Sequence, residues 1–206
     1  PLGHTLMFED SQQVTASISP YFSDPQEREV YNTFLYPLEK LLTQNHLHYT
    51  GFLTVEVMQD KNNRLVATDC FPTLCPVAAE TTMHRIVDLA PFCMSALEHQ
   101  VSSKPELHKQ IILSLALYNH ADYSEPIIGI PPSQAGQQLW YGASFFDNQL
   151  LHTNGTHVFT VTGIGPQLTI ARMNAYQMAH QIYWPSLHLN PHIAYEQIVQ
   201  QKRREQ

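Results

Sequence analysis

The stretch LWYGASFFDNQLLHTNGTHVFTVTGIGPQLTIARMNAYQMAHQIYW, residues 139–184, decides the fold of this 206-residue chain. It predicts a hairpin, a second turn, a further strand and a closing helix. Asp147-Asn148 tolerates the positive φ angles of a short hairpin turn, and Asn154-Gly155 supplies the second turn. The strand over 158–162 alternates, so one face is expected to pack and the other to meet water, before residues 163–166 end it. The helix carries one apolar stripe: Leu168, Ala171, Ala175, Met178 and Ile182.

Composition narrows the classes of function. The formal net charge of −7 argues against nucleic-acid binding, because phosphate recognition depends on clustered Lys and Arg. The only basic cluster is Lys202-Arg203-Arg204, which is either a solvated tail or a docking contact.

No apolar run is long enough to span a bilayer, and no signal-peptide pattern opens the sequence, so a cytoplasmic location is expected. The three cysteines, Cys70, Cys75 and Cys93, have no CxxC spacing. They predict buried, reduced thiols rather than a disulfide framework or a zinc site.

The N-terminal half predicts helices around one hairpin. A helix is expected to begin at Asp24-Pro25, with Glu27 closing a capping box and Pro37 kinking it. The segments 52–58 and 64–70 predict two strands joined by a turn at 60–63. The periodicity from residue 79 to residue 101 predicts another helix, interrupted at Pro91.

The C-terminal pattern resembles the C-terminal domain of phosphoribosylamine-glycine ligase, an ATP-grasp enzyme. The resemblance implies an α+β fold with an ATP-grasp-like antiparallel sheet and flanking helices over residues 1–125. A small ligase-type β/α subdomain is expected to follow over residues 126–206. The positions that fall in register are Gly142-Ala143, Asn148-Gln149-Leu150-Leu151, Thr153-Asn154-Gly155, Val158 to Gly163, Gly165, Leu168, Ala171 and Ala175-Tyr176.

The hairpin GFLTVEVMQDKNNRLVATD resembles the one on which ATP-grasp enzymes hold magnesium. A catalytic hairpin of this kind supplies carboxylate or amide oxygens, because Mg²⁺ prefers hard oxygen ligands. The resemblance places Ala67 where the ligase has Glu, Asp69 where it has Asn and Phe71 where it has Arg. Glu56 lies where some other ATP-grasp enzymes place a metal-binding Glu; the alternative is an exposed strand carboxylate.

Other departures from the ligase pattern also remove charge or glycine. The glycine-rich loop that would cradle phosphates is replaced by Thr15-Ala16-Ser17-Ile18-Ser19-Pro20. Thr156 and His157 replace a Gly and an Arg, and Asn190-Pro191-His192 replaces Arg-Arg-Asp. This sequence keeps the spacing and the apolar positions of the ligase pattern, whereas it loses the charged ligands of that pattern.

These losses lead to the hypothesis of a pseudoenzyme: a non-catalytic, ligase-like scaffold or adaptor subunit that uses no cofactor and binds other protein subunits. A bacterial secretion-system assembly is one setting for such a subunit. Aromatic side chains and the basic cluster are its candidate contacts: Tyr21, Phe22, Tyr183, Trp184, Lys202, Arg203 and Arg204.

Two alternatives stay open. In the first alternative, the chain is an ATP-grasp ligase of altered specificity that binds Mg-ATP through Glu56 and Asp69. In the second alternative, the chain is a small-molecule sensor, with a pocket between the two subdomains lined by Trp140, Tyr141 and Trp184.

Overall fold

Eleven strands and six α-helices are present in the computed structural model, which describes residues 4–10, 13–21, 23–47, 49–62, 64–75, 77–98, 104–132 and 134–204. In chain order the elements are β1 (Leu6–Asp10), β2 (Gln13–Ser19), α1 (Asp24–Val30), a π-helical turn (Tyr31–Leu35), α2 (Tyr36–Gln44), β3 (Thr54–Gln59), β4 (Leu65–Phe71), α3 (Ala78–Arg85), α4 (Leu89–Leu97), β5 (Ile111–Asn119), β6 (Pro126–Ile127), β7 (Gln137–Tyr141), β8 (Ser144–Asp147), β9 (Leu150–Thr153), β10 (His157–Gly165), α5 (Leu168–Ala179), β11 (Leu187–His188) and α6 (Tyr195–Arg204).

The central sheet is antiparallel and has the order β1-β2-β5-β10-β7, with β11 paired to the end of β5. Helix α5 packs on one face, where it buries a core with the apolar residues of β2, β5 and β10. Helix α3 packs on the opposite face. The α+β class predicted from the sequence is confirmed.

Two smaller sheets flank the central one. Strands β3 and β4 form a separate hairpin, as the sequence predicted, and β6-β9-β8 form a three-stranded sheet. The Asp60 carboxylate closes the first hairpin by accepting from the backbone N–H of Asn62 at 2.7 Å and of Arg64 at 2.9 Å.

The first helix begins as predicted at Asp24, but its cap lies one residue earlier. Ser23 is the N-cap residue, and its backbone N–H donates to the Gln26 side chain at 3.1 Å, so Gln26 takes the role expected of Glu27. The kink predicted at Pro37 is replaced by an irregular turn that precedes this residue. It is a π-helical turn, and Pro37 follows it as the second residue of α2.

The helical pattern from residue 79 breaks at Ile86 rather than at Pro91. Ile86 pairs with Leu107 in an isolated β-bridge, which separates α3 from α4. Pro91 lies in the first turn of α4, where its missing N–H has no helical partner to lose.

In the C-terminal hairpin the turn is Asn148-Gln149, one residue beyond the predicted pair, with φ angles of 46° and 70°. Strand β10 also runs further than expected, through Gly163 and Gly165. A Cβ at Gly163 would lie 2.1 Å from the Ala171 carbonyl oxygen. These glycines therefore do not end the strand; they let α5 approach its backbone.

The prediction that one side of β10 faces solvent is wrong, because Thr160 and Thr162 are buried. The Thr162 hydroxyl lies 2.9 Å from that of Ser114, which accepts from Thr81 at 2.6 Å. The Ser17 hydroxyl lies 2.5 Å from that of Thr81. Helix α3 covers this face, and a chain of hydroxyls across β2, β5 and β10 satisfies the buried polar groups.

The division between residues 125 and 126 stays a prediction. Strands from both sides of it contribute to the central sheet, since β5 pairs with β2 and also with β10.

Replacing Gly163 with Ala should destabilise the fold by about 1–3 kcal/mol, because the added methyl group overlaps backbone atoms of α5. The free energy of unfolding in urea measures the effect. Met173→Ala, on the exposed side of α5, is the control and should change stability by about 0.5 kcal/mol or less. Equal stability of the two variants would contradict the close approach.

Replacing Ser114 with Ala should cost about 1–3 kcal/mol, because the buried hydroxyls of Thr81 and Thr162 lose their shared partner. Urea unfolding again gives the value. Ser95→Ala removes a hydroxyl that only caps a carbonyl within α4, so it is the matched control with a smaller expected loss. A Ser114→Ala protein as stable as the control would show that the hydroxyl chain is not coupled.

Candidate functional site

Two acidic residues lie opposite each other on the β3–β4 hairpin. Glu56 and Asp69 are directly opposite in the antiparallel register, and a β-bulge follows Glu56. Opposite residues in an antiparallel pair project from the same face of the sheet. The Thr68 hydroxyl donates to Glu56 Oε2 at 3.2 Å, and Asp69 Oδ1 accepts from the Cys70 N–H at 2.7 Å. The structure thus brings together the two residues named as metal ligands in the ligase alternative.

A cleft of about 1460 Å³ lies beside this hairpin. It is bordered by β1, by the helical segment from α1 to α2, and by β3, including Glu56. Most of its lining is apolar, and its carboxylates are Glu9, Glu29, Glu39 and Glu56. No Lys or Arg is among the described residues that line it.

Cys75 lies at the wall of the cleft nearest to α3. Burial raises the pKa of its thiol, and the negative charges of Glu56, Glu9 and Glu80 raise it further. A thiol in this environment stays protonated at neutral pH and is a poor nucleophile. All three cysteines are free, but the prediction that they are buried is wrong: Cys70 is exposed, and Cys75 and Cys93 are half-buried.

A second polar cluster links α3 to the central sheet. The Thr160 hydroxyl donates to Glu80 Oε1 at 3.4 Å and lies 2.9 Å from His157 Nε2. The His84 ring meets Trp140 edge-on, at 5.2 Å between ring centroids. Glu80 Oε2, His84 Nε2 and Trp140 Nε1 are buried with no hydrogen-bond partner among the described residues.

This cluster was not predicted from the sequence. Glu80 and His84 are four residues apart, which places them on one face of a helix, and that spacing was the available signal. Burial lowers the pKa of His157, and the charge of Glu80 partly opposes the effect. Burial also lowers the pKa of His84, with a smaller contribution from His108.

Arg85, at the end of α3, is a buried cation. Its side chain is 8% exposed, and its Nε and Nη1 have no hydrogen-bond partner within the described ranges. Burial lowers the pKa of the guanidinium, opposed by the charge of Glu27. The guanidinium stays protonated at any physiological pH.

The predicted interaction residues fall in different environments. Tyr21 and Tyr183 are 43% and 55% exposed, and Arg203 is exposed. Trp184 is fully buried in the core, where its ring lies 6.0 Å from that of Phe159, so it offers no surface to a partner. Phe22 and the side chains of Lys202 and Arg204 lie outside the described residues.

The three aromatic residues named in the sensor hypothesis, Trp140, Tyr141 and Trp184, do not line one pocket. Trp140 and Tyr141 are successive residues of β7 and project from opposite faces of the sheet. Trp140 contacts His84 on the α3 side, whereas Tyr141 and Trp184 both pack near Phe159 on the α5 side.

No group of three or more His, Cys, Asp or Glu side chains is arranged to hold a metal ion in the portion of the chain that the structure describes. Over the same portion, no helix combines the length and the apolar character needed to cross a membrane.

Comparison with known proteins identifies relatives by sequence. The chain is 25% identical to the phosphoribosylamine-glycine ligase of Vibrio parahaemolyticus, over 91% of this chain and 46% of that protein. It is 29% identical to the enzyme of Vibrio cholerae, over 76% of this chain and 38% of that protein. The chain is a divergent relative of the phosphoribosylamine-glycine ligases. It spans about half the length of the curated relatives it matches, and no family model matches it.

Solved structures agree on the fold. The phosphoribosylamine-glycine ligase of Thermotoga maritima superposes with a TM-score of 0.73 at 16% identity, covering 91% of this chain and 50% of that one. The biotin carboxylase subunit of pyruvate carboxylase gives a TM-score of 0.69 at 13% identity, covering 91% of this chain and 43% of that one. The ATP-grasp-like fold predicted from the ligase resemblance is confirmed.

The prediction that the chain is not an enzyme is wrong. The relatives that match it by sequence are ligases by name, and the solved structures that share its fold are ligases and carboxylases. The loss of ligand residues at Ala67 and Phe71 does not by itself exclude catalysis, because the hairpin keeps two acidic residues, Glu56 and Asp69, in opposite positions. A location in the cytoplasm, a secretion-system setting and protein partners stay predictions.

The chain should lose stability as the pH falls below about 6.5, the usual pKa of an unfolded histidine. Burial holds the pKa of His84 and of His157 below that value in the folded state, so the unfolded state binds more protons there. The loss begins near the unfolded pKa and continues until the pH reaches the lowered pKa of the folded state.

Urea unfolding at about pH 7.5 and about pH 5.5 measures this dependence. His84→Phe keeps an aromatic ring against Trp140 and removes the titrating group, so its loss of stability between the two pH values should be smaller. His192→Gln, at an exposed histidine, should behave as the wild type. If His84→Phe loses as much stability as the control, burial of His84 does not contribute.

Proposed function

We propose that this chain carries the metal-binding part of an ATP-grasp ligase of altered specificity, in which Glu56 and Asp69 hold the magnesium ion of Mg-ATP. The single observation that carries the proposal is their register: the two carboxylates are opposite each other on one face of the β3–β4 hairpin. The sequence relationship to ligases supports the class of reaction.

The donor set suits magnesium. Mg²⁺ takes oxygen ligands and is commonly held by one or two carboxylates, with substrate phosphates and water completing its coordination. Two opposed carboxylates therefore suffice when the nucleotide brings the remaining oxygens. The bound ion would neutralise phosphate charge and polarise the phosphoryl group under attack.

The charges around the hairpin make the metal essential to nucleotide binding. The lining of the adjacent cleft has four Glu side chains and, among its described residues, no Lys or Arg. Carboxylates repel a polyphosphate, so ATP without a divalent ion should bind poorly. Thr68 keeps Glu56 in place through its hydrogen bond to Oε2 and so preorganises one ligand.

The altered specificity rests on positions where the ligase pattern changes. His157 and Thr156 replace an Arg and a Gly of that pattern, and His157 is bound through Thr160 to Glu80. A half-buried imidazole whose pKa is lowered by burial recognises different groups from an arginine, which binds carboxylate or phosphate with a fixed charge. The acceptor substrate should therefore differ from that of the relatives.

Calorimetric titration of the purified chain with ATP, with and without Mg²⁺, tests the proposal. ATP should bind saturably only with Mg²⁺, and Glu56→Gln or Asp69→Asn should weaken the affinity at least about tenfold, or about 1.4 kcal/mol. These isosteric changes remove charge but leave the shape of the exposed hairpin unchanged. Asp122→Asn, at an exposed carboxylate elsewhere, should bind as the wild type does.

Absence of heat at millimolar ATP and Mg²⁺ would contradict the proposal. Equal affinity of the Glu56→Gln, Asp69→Asn and Asp122→Asn variants would also contradict it, because the metal would then be held elsewhere.

A further inference from the structure

The cleft beside the hairpin runs along the edges of two strands. All six residues of β3, from Thr54 to Gln59, line it, whereas Leu65 is the only residue of β4 that does. Successive side chains of a strand project from opposite faces. A cavity touched by every successive residue therefore follows the edge of the strand rather than one of its faces.

Strand β1 borders the cleft in the same way. Its successive residues Leu6 and Met7 both line the cavity. Among the described strands, β1 pairs only with β2, and β3 pairs only with β4. The cleft thus lies between two strand edges to which no described strand is added.

Such edges are unusual in two respects. A two-stranded hairpin is at best marginally stable by itself, and β3–β4 is a separate two-stranded sheet. Proteins also tend to cover or block long strand edges, because the exposed backbone groups recruit further strands. Addition of a strand at this position would extend the hairpin and cover both edges.

The helices above the cleft supply an apolar wall. Val30, Leu35 and Leu38 line it, yet no residue of α2 is buried. An amphipathic helix is normally stabilised by burying its apolar stripe. The occupant of the cleft should therefore bring apolar side chains to this wall.

Charge specifies the occupant further. Glu9 on β1, Glu29 on α1, Glu39 on α2 and Glu56 on β3 line the cleft from both strands and from the helices above it. No Lys or Arg accompanies them among the lining residues that the structure describes. Like charges on the walls of a cleft concentrate the field inside it and attract the opposite charge.

We infer that the cleft binds an extended segment of a partner protein, in which apolar side chains alternate with Lys or Arg, by adding it as a strand to the edge of β3. Backbone hydrogen bonds would supply affinity, and the alternating side chains would supply specificity. The apolar set would cover the stripe of α1 and α2, and the basic set would meet the four carboxylates. A volume of about 1460 Å³ exceeds the roughly 300–1,000 Å³ of a small-ligand site.

A peptide of about twelve residues that alternates Lys and Val is the probe, and fluorescence anisotropy measures its binding to the purified chain. It should bind saturably, and raising the salt concentration from about 0.05 M to about 0.5 M should weaken the affinity at least about fivefold. A matched peptide that alternates Glu and Val should not bind. Equal binding of the two peptides would overturn the charge argument.

Two further comparisons test where the peptide binds and whether it binds as an added strand. The double variant Glu29→Gln/Glu39→Gln should weaken peptide affinity at least about threefold, and the charge-matched double variant Glu106→Gln/Glu196→Gln, at exposed positions outside the cleft lining, should not. Methylation of alternate backbone nitrogens of the peptide keeps its charge and removes its strand pairing, so it should abolish binding.

Hydrogen exchange should show protection of β3 when the unmethylated peptide binds. Binding that survives backbone methylation would overturn strand addition. If β3 is protected in the chain alone, and the protection increases with the fraction of dimer in solution, then the cleft binds a second copy of this chain. That result would overturn the inference. None of these measurements requires ATP, so their failure is distinct from failure of the metal site.

Discussion

The close approach of α5 to β10 is the constraint on which the rest of the structure depends. Gly163 and Gly165 lie where a side chain would overlap the backbone or side chains of the helix. The small residues Ala171 and Ala175 occupy the helix side of the same contact. Because backbones meet directly, the apolar residues of β5 and β10 can close around α5 in one continuous core.

The opposite face of the sheet is held by hydroxyl groups. The side chains of Ser17, Ser114 and Thr162 lie in one row across three strands, and Thr81 joins them to α3. Such a polar core specifies position more strictly than apolar packing, because each hydroxyl must find a partner. The position of α3 sets that of Glu80, and the segment before α3 carries Cys75 to the wall of the cleft.

The candidate site combines a retained scaffold with changed charges. Opposed carboxylates on the hairpin suit a magnesium ion, while the cleft beside them repels anions that arrive without one. A strand-edge cleft with an apolar wall and acidic residues suits a basic polypeptide segment. The two features are adjacent on β3, so an added strand would stiffen the hairpin that carries Glu56.

The local elements could be predicted from the sequence by itself. The turns at Asp60, Asn148 and Gly155, both hairpins and the apolar stripe of α5 follow from preferences among residues a few positions apart. The sequence also placed Glu56 and Asp69 on neighbouring strands, since the turn between them fixes their approximate register. The family resemblance was likewise carried by local spacing.

Only the tertiary structure decided which surfaces are buried. Thr160 was expected to meet water, but it contacts Glu80, eighty residues earlier in the chain. Trp184 was expected at a binding surface but lies against Phe159 in the core. Burial depends on which distant segment covers a face, and periodicity within a strand contains no information about that segment. The sequence therefore determined the elements, whereas long-range packing determined the hydroxyl chain, the half-buried histidines and the cleft between two strand edges.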